Sequence, residues 1–226
     1  MHDALVRAYG PQHWWPAKTP FEVILGAFLT QNTSWKAVEV SLANLRTAGA
    51  LTLAGIRGLS LNNLQELIRP SGFHRRKAPA LKAFVAMLDS EFAGSLDRLA
   101  AVPTQILRKK LLGLLGVGPE TADAILLYAL GHAVPVADEY LRRIVARHRL
   151  IRPEPKKNRR SYESLAQLTD DAFFRDPIQS RAQLFNEFHA LTVAVGKAHC
   201  GRTPDCNQCP LRFDLKPAKK AHSGKE

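Results

Sequence analysis

The stretch Leu114-Leu115-Gly116-Val117-Gly118-Pro119-Glu120-Thr121-Ala122 decides the fold predicted for this 226-residue chain. After the Gly-x-Gly turn, apolar residues recur at the spacing of one helix face: Ala122, Ile125, Leu126 and Ala129. Pro119 suits the first turn of that helix, where an N–H has no intrahelical partner. Exposed N–H groups at such a helix start can bind a phosphate. A tight turn between two helices with no ligand fits the same pattern, and the stretch alone leaves both interpretations open.

Two nucleotide-binding motifs are excluded at this turn. A dinucleotide fingerprint needs a third glycine, and a P-loop needs a lysine followed by serine or threonine. Neither occurs here.

The charge of the chain indicates a polyanionic partner. Thirty-two Lys and Arg against 20 Asp and Glu give a net charge of +12. A generic basic surface could have the same net charge. The basic residues of this chain are clustered, however, which favours nucleic acid as the partner. The clusters are Arg75, Arg76 and Lys77; Arg142, Arg143, Arg147 and Arg149; Lys156, Lys157, Arg159 and Arg160; and Lys216, Lys219, Lys220 and Lys225.

Helical periodicity dominates the chain and predicts an all-α fold. One apolar face is formed by Phe21, Ile24, Leu25, Phe28 and Leu29. No stretch of adequate length alternates with period two, and no apolar run approaches the ~18 residues of a membrane span. The N-terminus does not resemble a secretion signal. We therefore expect a cytoplasmic, nucleoid-associated protein without membrane contact.

All three cysteines lie within ten residues, as Cys200-x5-Cys206-x2-Cys209. Disulfides are disfavoured in the expected compartment, and closely spaced thiolates suit zinc or an iron–sulfur cluster. Either group normally needs four ligands. Candidates for the fourth ligand are His199, Asp205, Asp214 and His222, and the alternative is three thiols without a metal.

With these motifs in place, the chain resembles the endonuclease III superfamily of helix–hairpin–helix DNA glycosylases. Leu115-Gly116-Val117-Gly118 resembles the hairpin, and Asp138, eighteen residues after Glu120, resembles the catalytic aspartate. Leu29-Thr30-Gln31-Asn32-Thr33 is similar to the loop whose glutamine enters the duplex. Gly72–Ala78, which includes Lys77, is similar to a segment that lies near DNA.

The resemblance implies two helical domains with a DNA-binding cleft between them. Residues 22–130 are expected to form a six-helix domain with the helix–hairpin–helix near its end. Residues 1–21 and 131–215 are expected to form the second domain, and 216–226 a basic flexible tail. The implied partner is double-stranded DNA with damaged bases, bound by a monomer.

Glu120 departs from the family pattern in a way that affects the chemistry. Bifunctional members carry there a lysine whose amine attacks the sugar and then cleaves the strand. A carboxylate cannot form that imine, so the resemblance implies a monofunctional enzyme that uses water. Glu120 either assists the water, repels neutral bases, or lies in the first helical turn for electrostatic reasons.

The cysteine spacing also departs from the family, whose clusters have a fourth cysteine where this chain has Leu215. The resemblance implies a 4Fe–4S cluster held by Cys200, Cys206 and Cys209 with Asp214 as a non-cysteine fourth ligand. Alternatively no cluster forms, as in some alkylpurine-specific relatives.

Those 3-methyladenine glycosylases are the relatives that the chain resembles most. The matching segments include Trp14-Trp15-Pro16 and Thr30-Gln31-Asn32-Thr33-Ser34-Trp35. Cation–π attraction between aromatic rings and a cationic alkylated purine would suit a pocket of Trp15, Pro16 and Trp35. Packing of Trp14 and Trp15 in a core or hinge is the alternative.

The implied mechanism is base excision. Main-chain N–H groups of Gly116, Val117 and Gly118 would bind a backbone phosphate, and Gln31 would fill the gap left by a flipped nucleotide. Asp138 would stabilise positive charge on the sugar and activate water. The alternatives are a glycosylase for oxidised pyrimidines or mismatched uracil or thymine, and a lesion-binding protein without activity.

Overall fold

The computed structural model describes residues 1–12, 14, 17–151 and 158–215, and this part of the chain is helical without any strand. The predicted all-α class is confirmed. No helix in these ranges is long and apolar enough to cross a membrane. The helices are α1 (His2–Tyr9), α2 (Pro20–Leu29), α3 (Trp35–Thr47), α4 (Leu53–Gly58), α5 (Leu61–Leu67), α6 (His74–Phe92), α7 (Leu96–Ala100), α8 (Thr104–Gly113), α9 (Pro119–Ala124), α10 (Glu139–Arg147), α11 (Arg159–Ala172) and α12 (Ile178–Ala198).

Short polar side chains set where many of these helices begin. At each such N-cap a hydroxyl or carboxylate accepts the backbone N–H three residues later, which satisfies a donor without an intrahelical partner. These caps are Thr19, Ser34, Thr52, Ser60, Ser95 and Asp138.

The chain divides into two compact units. The larger unit contains Trp14–Val136 and Asp170–Asn186, and the smaller unit contains Met1–His13, Ala137–Thr169 and Glu187–Glu226. These boundaries differ from those expected at 21/22 and 130/131, because residues 14–21, 131–136 and 170–186 group with the larger unit. The expected tail, 216–226, lies outside the described residues.

In the larger unit, α2 is the central helix. All nine residues from Phe21 to Leu29 are buried, as expected for a helix surrounded by others. Phe28 meets Phe84 of α6 edge to face, with ring centroids 5.8 Å apart. The carboxylate of Glu22 is buried with this helix and is paired with Arg46 at 2.5 Å. Helix α2 thus fixes the position of the loop that follows it.

In the smaller unit, α10 packs against α12 at a glycine. One apolar cluster joins Ile144 of α10 to Leu191 and Val195 of α12. A Cβ on Gly196 would lie 2.2 Å from the Tyr140 ring. Glycine therefore permits an approach of the two helices that any larger residue would prevent.

We expect Gly196→Ala to lower the free energy of unfolding by about 1–3 kcal/mol, because the clash with Tyr140 outweighs the better helix propensity of alanine. Gly58→Ala is the matched control, since nothing lies within 4 Å of its added Cβ. Urea titrations monitored by circular dichroism measure both. Equal stability of the two variants would contradict the close packing.

Candidate nucleic-acid interface and catalytic carboxylate

The predicted hairpin is present between α8 and α9. Gly116 has φ +80°, a conformation that favours glycine, and Gly118 is the N-cap of α9. Both glycines are exposed, whereas Val117 is buried and donates its N–H to Leu114 O at 3.1 Å. The N–H of Val117 is therefore engaged within the turn. Of the three predicted phosphate donors, only the two glycines are exposed.

A buried ion pair holds the two helices of the hairpin together. The guanidinium of Arg108 donates to both carboxylate oxygens of Asp123, at 2.6 and 2.9 Å. Asp123 is only 2% exposed, so the bidentate geometry compensates its desolvation. Sequence reasoning missed this pair, because a separation of fifteen residues across a turn has no local spacing rule.

Gln31 connects the loop after α2 to the hairpin. Its Nε2 donates to Gly116 O and to Thr121 Oγ1, both at 2.9 Å. The predicted duplex-entering glutamine thus lies beside the predicted phosphate-binding turn, within the larger unit. In this conformation the side-chain amide of Gln31 is hydrogen-bonded within the protein itself.

Lys77 is not positioned to contact a phosphate in this structure. The side chain is buried, and Nζ donates to Leu29 O and Ser71 O at 2.7 Å each. Burial lowers the pKa of Lys77 to about 8. In this structure the ammonium of Lys77 joins the end of α2 to the turn before α6, and a direct DNA contact by Lys77 stays a prediction. The exposed members of this segment are Phe73, Arg75 and Arg76.

Asp138 begins α10 in the smaller unit. Its Oδ1 accepts the N–H of Leu141 at 2.8 Å, and its Oδ2 lies 3.5 Å from Nε2 of His189 on α12. Both side chains are buried. Neither the helix cap nor the contact between His189 and Asp138 was predicted from the sequence.

Glu120 is exposed in the first turn of α9, where the helix dipole favours a carboxylate. This position agrees with the simplest of the three roles considered for it.

The predicted base pocket is described only in part. Trp15 and Pro16 lie outside the described residues. Trp35 begins α3 and donates Nε1–H to Glu39 at 2.9 Å. A separate cavity of about 250 Å³ is lined by Trp14 and Tyr128, whose rings meet edge to face, and Trp35 is not among its lining residues.

Cys200, Cys206, Cys209 and Asp214 are the ligand set expected for a metal. Burial raises the pKa of the Cys209 thiol, and electrostatic repulsion from Cys206 and Cys200 raises it further. Asp214, however, has its carboxylate 3.7 Å from His148, and Leu215 cannot ligate. Within the described residues, no group of three or more His, Cys, Asp or Glu could hold a metal ion. The ligand set with Asp214 therefore does not fit, and the iron–sulfur cluster stays a prediction.

Arginines hold the cysteine loop in this structure. Arg147 donates to Cys200 Sγ at 2.9 Å and to Gly201 O at 2.7 Å, and Arg143 donates to Cys200 O at 2.8 Å. Arg142 pairs with Glu139. This predicted basic cluster is thus engaged in contacts within the protein.

The structure thus contains the hairpin and, twenty residues after Gly118, the aspartate on which the family resemblance rests. The chain belongs to the HhH-GPD superfamily of base excision DNA repair proteins, whose family model matches residues 25–168. It is 37% identical over 214 residues to a protein of Methanocaldococcus jannaschii assigned as a DNA repair glycosylase, covering 94% of this chain and 92% of that one.

Two further relatives agree with this family. The 3-methyladenine DNA glycosylase of H. pylori, solved bound to 1,N6-ethenoadenine, has 32% identity and a TM-score of 0.67, with 86% of this chain and 92% of that chain covered. Endonuclease III of Sulfolobus acidocaldarius is 28% identical over 194 residues, which cover 85% of this chain and 79% of the relative.

The buried Lys77 gives stability a defined pH dependence. Its pKa is about 8 in the fold, against an ordinary lysine value of 10.5 in the unfolded chain, so between these values the unfolded chain binds more protons. Stability due to this group therefore rises with pH. We expect the free energy of unfolding of the parent, relative to Lys77→Met, to increase by about 2 kcal/mol from pH 7 to pH 9.5.

Urea titrations of both proteins at the two pH values provide the measurement. Lys36→Met, which removes an exposed lysine, is the control and should show no such change relative to the parent. A pH-independent difference between the parent and Lys77→Met would contradict the lowered pKa.

Proposed function

We propose that this protein is a monofunctional DNA glycosylase that hydrolyses the N-glycosidic bond of damaged bases, with alkylated purines as the preferred class. The observation that carries the proposal is Asp138, a buried carboxylate held by the N–H of Leu141 at the start of α10. The similarity to the 3-methyladenine glycosylase of H. pylori supports the substrate class.

Cleavage of an N-glycosidic bond develops positive charge on the sugar. A carboxylate fixed in place stabilises that charge without reorganising, and it can orient or deprotonate the attacking water. An alkylated purine already carries positive charge and leaves readily, so no strong general acid is needed. Asp138 is thus sufficient as the chemical group for this substrate class.

The larger unit supplies the groups that bind DNA. The exposed Gly116 and Gly118 suit the close approach of a backbone phosphate, and the exposed Arg75 and Arg76 add salt-dependent affinity. Phe73, exposed beside them, offers a ring on which a base can stack. Gln31 can fill the space of a flipped nucleotide once its bonds to Gly116 and Thr121 are exchanged for bonds to DNA.

A second candidate is a glycosylase for oxidised pyrimidines or mismatched uracil or thymine, favoured by the similarity to endonuclease III. A panel of duplexes, each with one lesion, separates the two candidates. Release of methylated purines at the highest kcat/KM supports the first, whereas faster release of an oxidised or mismatched pyrimidine supports the second.

We expect Asp138→Asn to lower the single-turnover rate of methylpurine release by about 100-fold or more, because the charge that stabilises the sugar cation is lost. Asparagine is also a good N-cap, so the fold and DNA binding should be retained. Asp97→Asn, at an exposed position in the first turn of α7, controls for the loss of one negative charge. Release at the parent rate by Asp138→Asn would refute the assignment.

We also expect no covalent protein–DNA complex on reduction with borohydride during turnover, because the residue at position 120 is a carboxylate and forms no imine. The measurement is a denaturing gel of enzyme, lesion duplex and borohydride, with an endonuclease III as the positive control. A complex in yield comparable to that control would show lyase chemistry through another amine.

A further inference from the structure

His189 faces the one carboxylate oxygen of Asp138 that the helix cap leaves available. The Leu141 N–H holds Oδ1 at 2.8 Å, while Nε2 of His189 lies 3.5 Å from Oδ2. Asp138 and His189 both belong to the smaller unit and are less than 10% exposed. The carboxylate is therefore contacted on both oxygens, once by backbone and once by a side chain.

This contact constrains the imidazole. A nitrogen lone pair directed at a carboxylate oxygen is repulsive, so the contact is attractive only when Nε2 carries a hydrogen. The 3.5 Å separation is an ion-pair distance outside hydrogen-bond geometry, so Oδ2 is not sequestered.

We propose that His189 is a positioning residue for base excision: its Nε2–H, directed at Oδ2 of Asp138, keeps that oxygen in the orientation that the reaction uses. The inference rests on the proposed function of Asp138. It is distinct from a packing role, which would require the volume of His189 but not its hydrogen-bond donor.

The smaller unit contains a matched control. His148 is also buried, and its Nδ1 lies 3.7 Å from the carboxylate of Asp214. This second contact is similar in length and has a similarly buried imidazole, whereas its carboxylate is 36% exposed against 9% for Asp138 and has no role in the proposed reaction. His148→Leu therefore measures what the loss of a buried imidazole costs without affecting Asp138.

The test compares His189→Leu, His189→Gln and His148→Leu by single-turnover release of a methylpurine from duplex DNA, with DNA affinity measured separately. Gln places an N–H donor close to the position of Nε2. We expect His189→Leu to lose about 10- to 100-fold in rate, as is typical when a residue that orients a functional group is removed. His189→Gln should stay within a few-fold of the parent, and DNA affinity should be unchanged in all three.

Three outcomes overturn the inference. The first is a rate for His189→Leu equal to that of His148→Leu, and the second is a rate for His189→Gln as low as that of His189→Leu. The third is a loss confined to DNA affinity. Absence of base release by the parent from every duplex is a different result: it refutes the proposed function, and the role of His189 falls with it.

Discussion

A buried ammonium fixes the end of the central helix, and the arrangement of Gln31 beside the hairpin of the larger unit depends on it. Lys77 donates from α6 to the last carbonyl of α2 and to Ser71. The loop that begins after Leu29 therefore starts from a defined point, from which Gln31 reaches Gly116 and Thr121. The ion pair of Arg108 with Asp123 then holds α8 and α9 on either side of the turn. Burial of Lys77 disfavours its charged form, which lowers its pKa.

The sequence was sufficient for features that local rules determine. Apolar spacing at Phe21, Ile24 and Phe28 predicted a helix with one apolar face, and the glycines predicted the turn before α9. The sequence did not predict the contacts of long polar side chains, which can point either into solvent or into the protein. Both Lys77 and Arg147 belong to basic clusters that the sequence analysis interpreted as nucleic-acid-binding. In the structure both donate to carbonyl oxygens. Only the fold determines which carbonyls lack partners nearby, so composition could not distinguish these basic residues from exposed ones.

This distinction changes what the net charge of +12 means. The total counts every lysine and arginine equally, but the number of phosphates that a protein neutralises depends on the cations left exposed. Lys82 also donates to backbone carbonyls, at the end of α4, and Arg143 donates to Cys200 O. Arg75 and Arg76 remain exposed. The salt dependence of DNA binding should therefore correspond to fewer contacts than the basic clusters of the sequence indicate.

In the proposed reaction, Asp138 combines a structural and a chemical role because its two oxygens are in different surroundings. As an N-cap, it would normally be selected for helix stability alone, and serine or asparagine would serve equally well. Of these three cap residues, only aspartate also supplies a negative charge. The capping hydrogen bond already restricts its rotamer. A carboxylate that is already immobilised loses little entropy when the sugar cation forms, which is the condition for electrostatic stabilisation of a transition state. The cap at the start of α10 is therefore part of the preorganisation of the proposed reaction, and His189 completes it on the opposite oxygen.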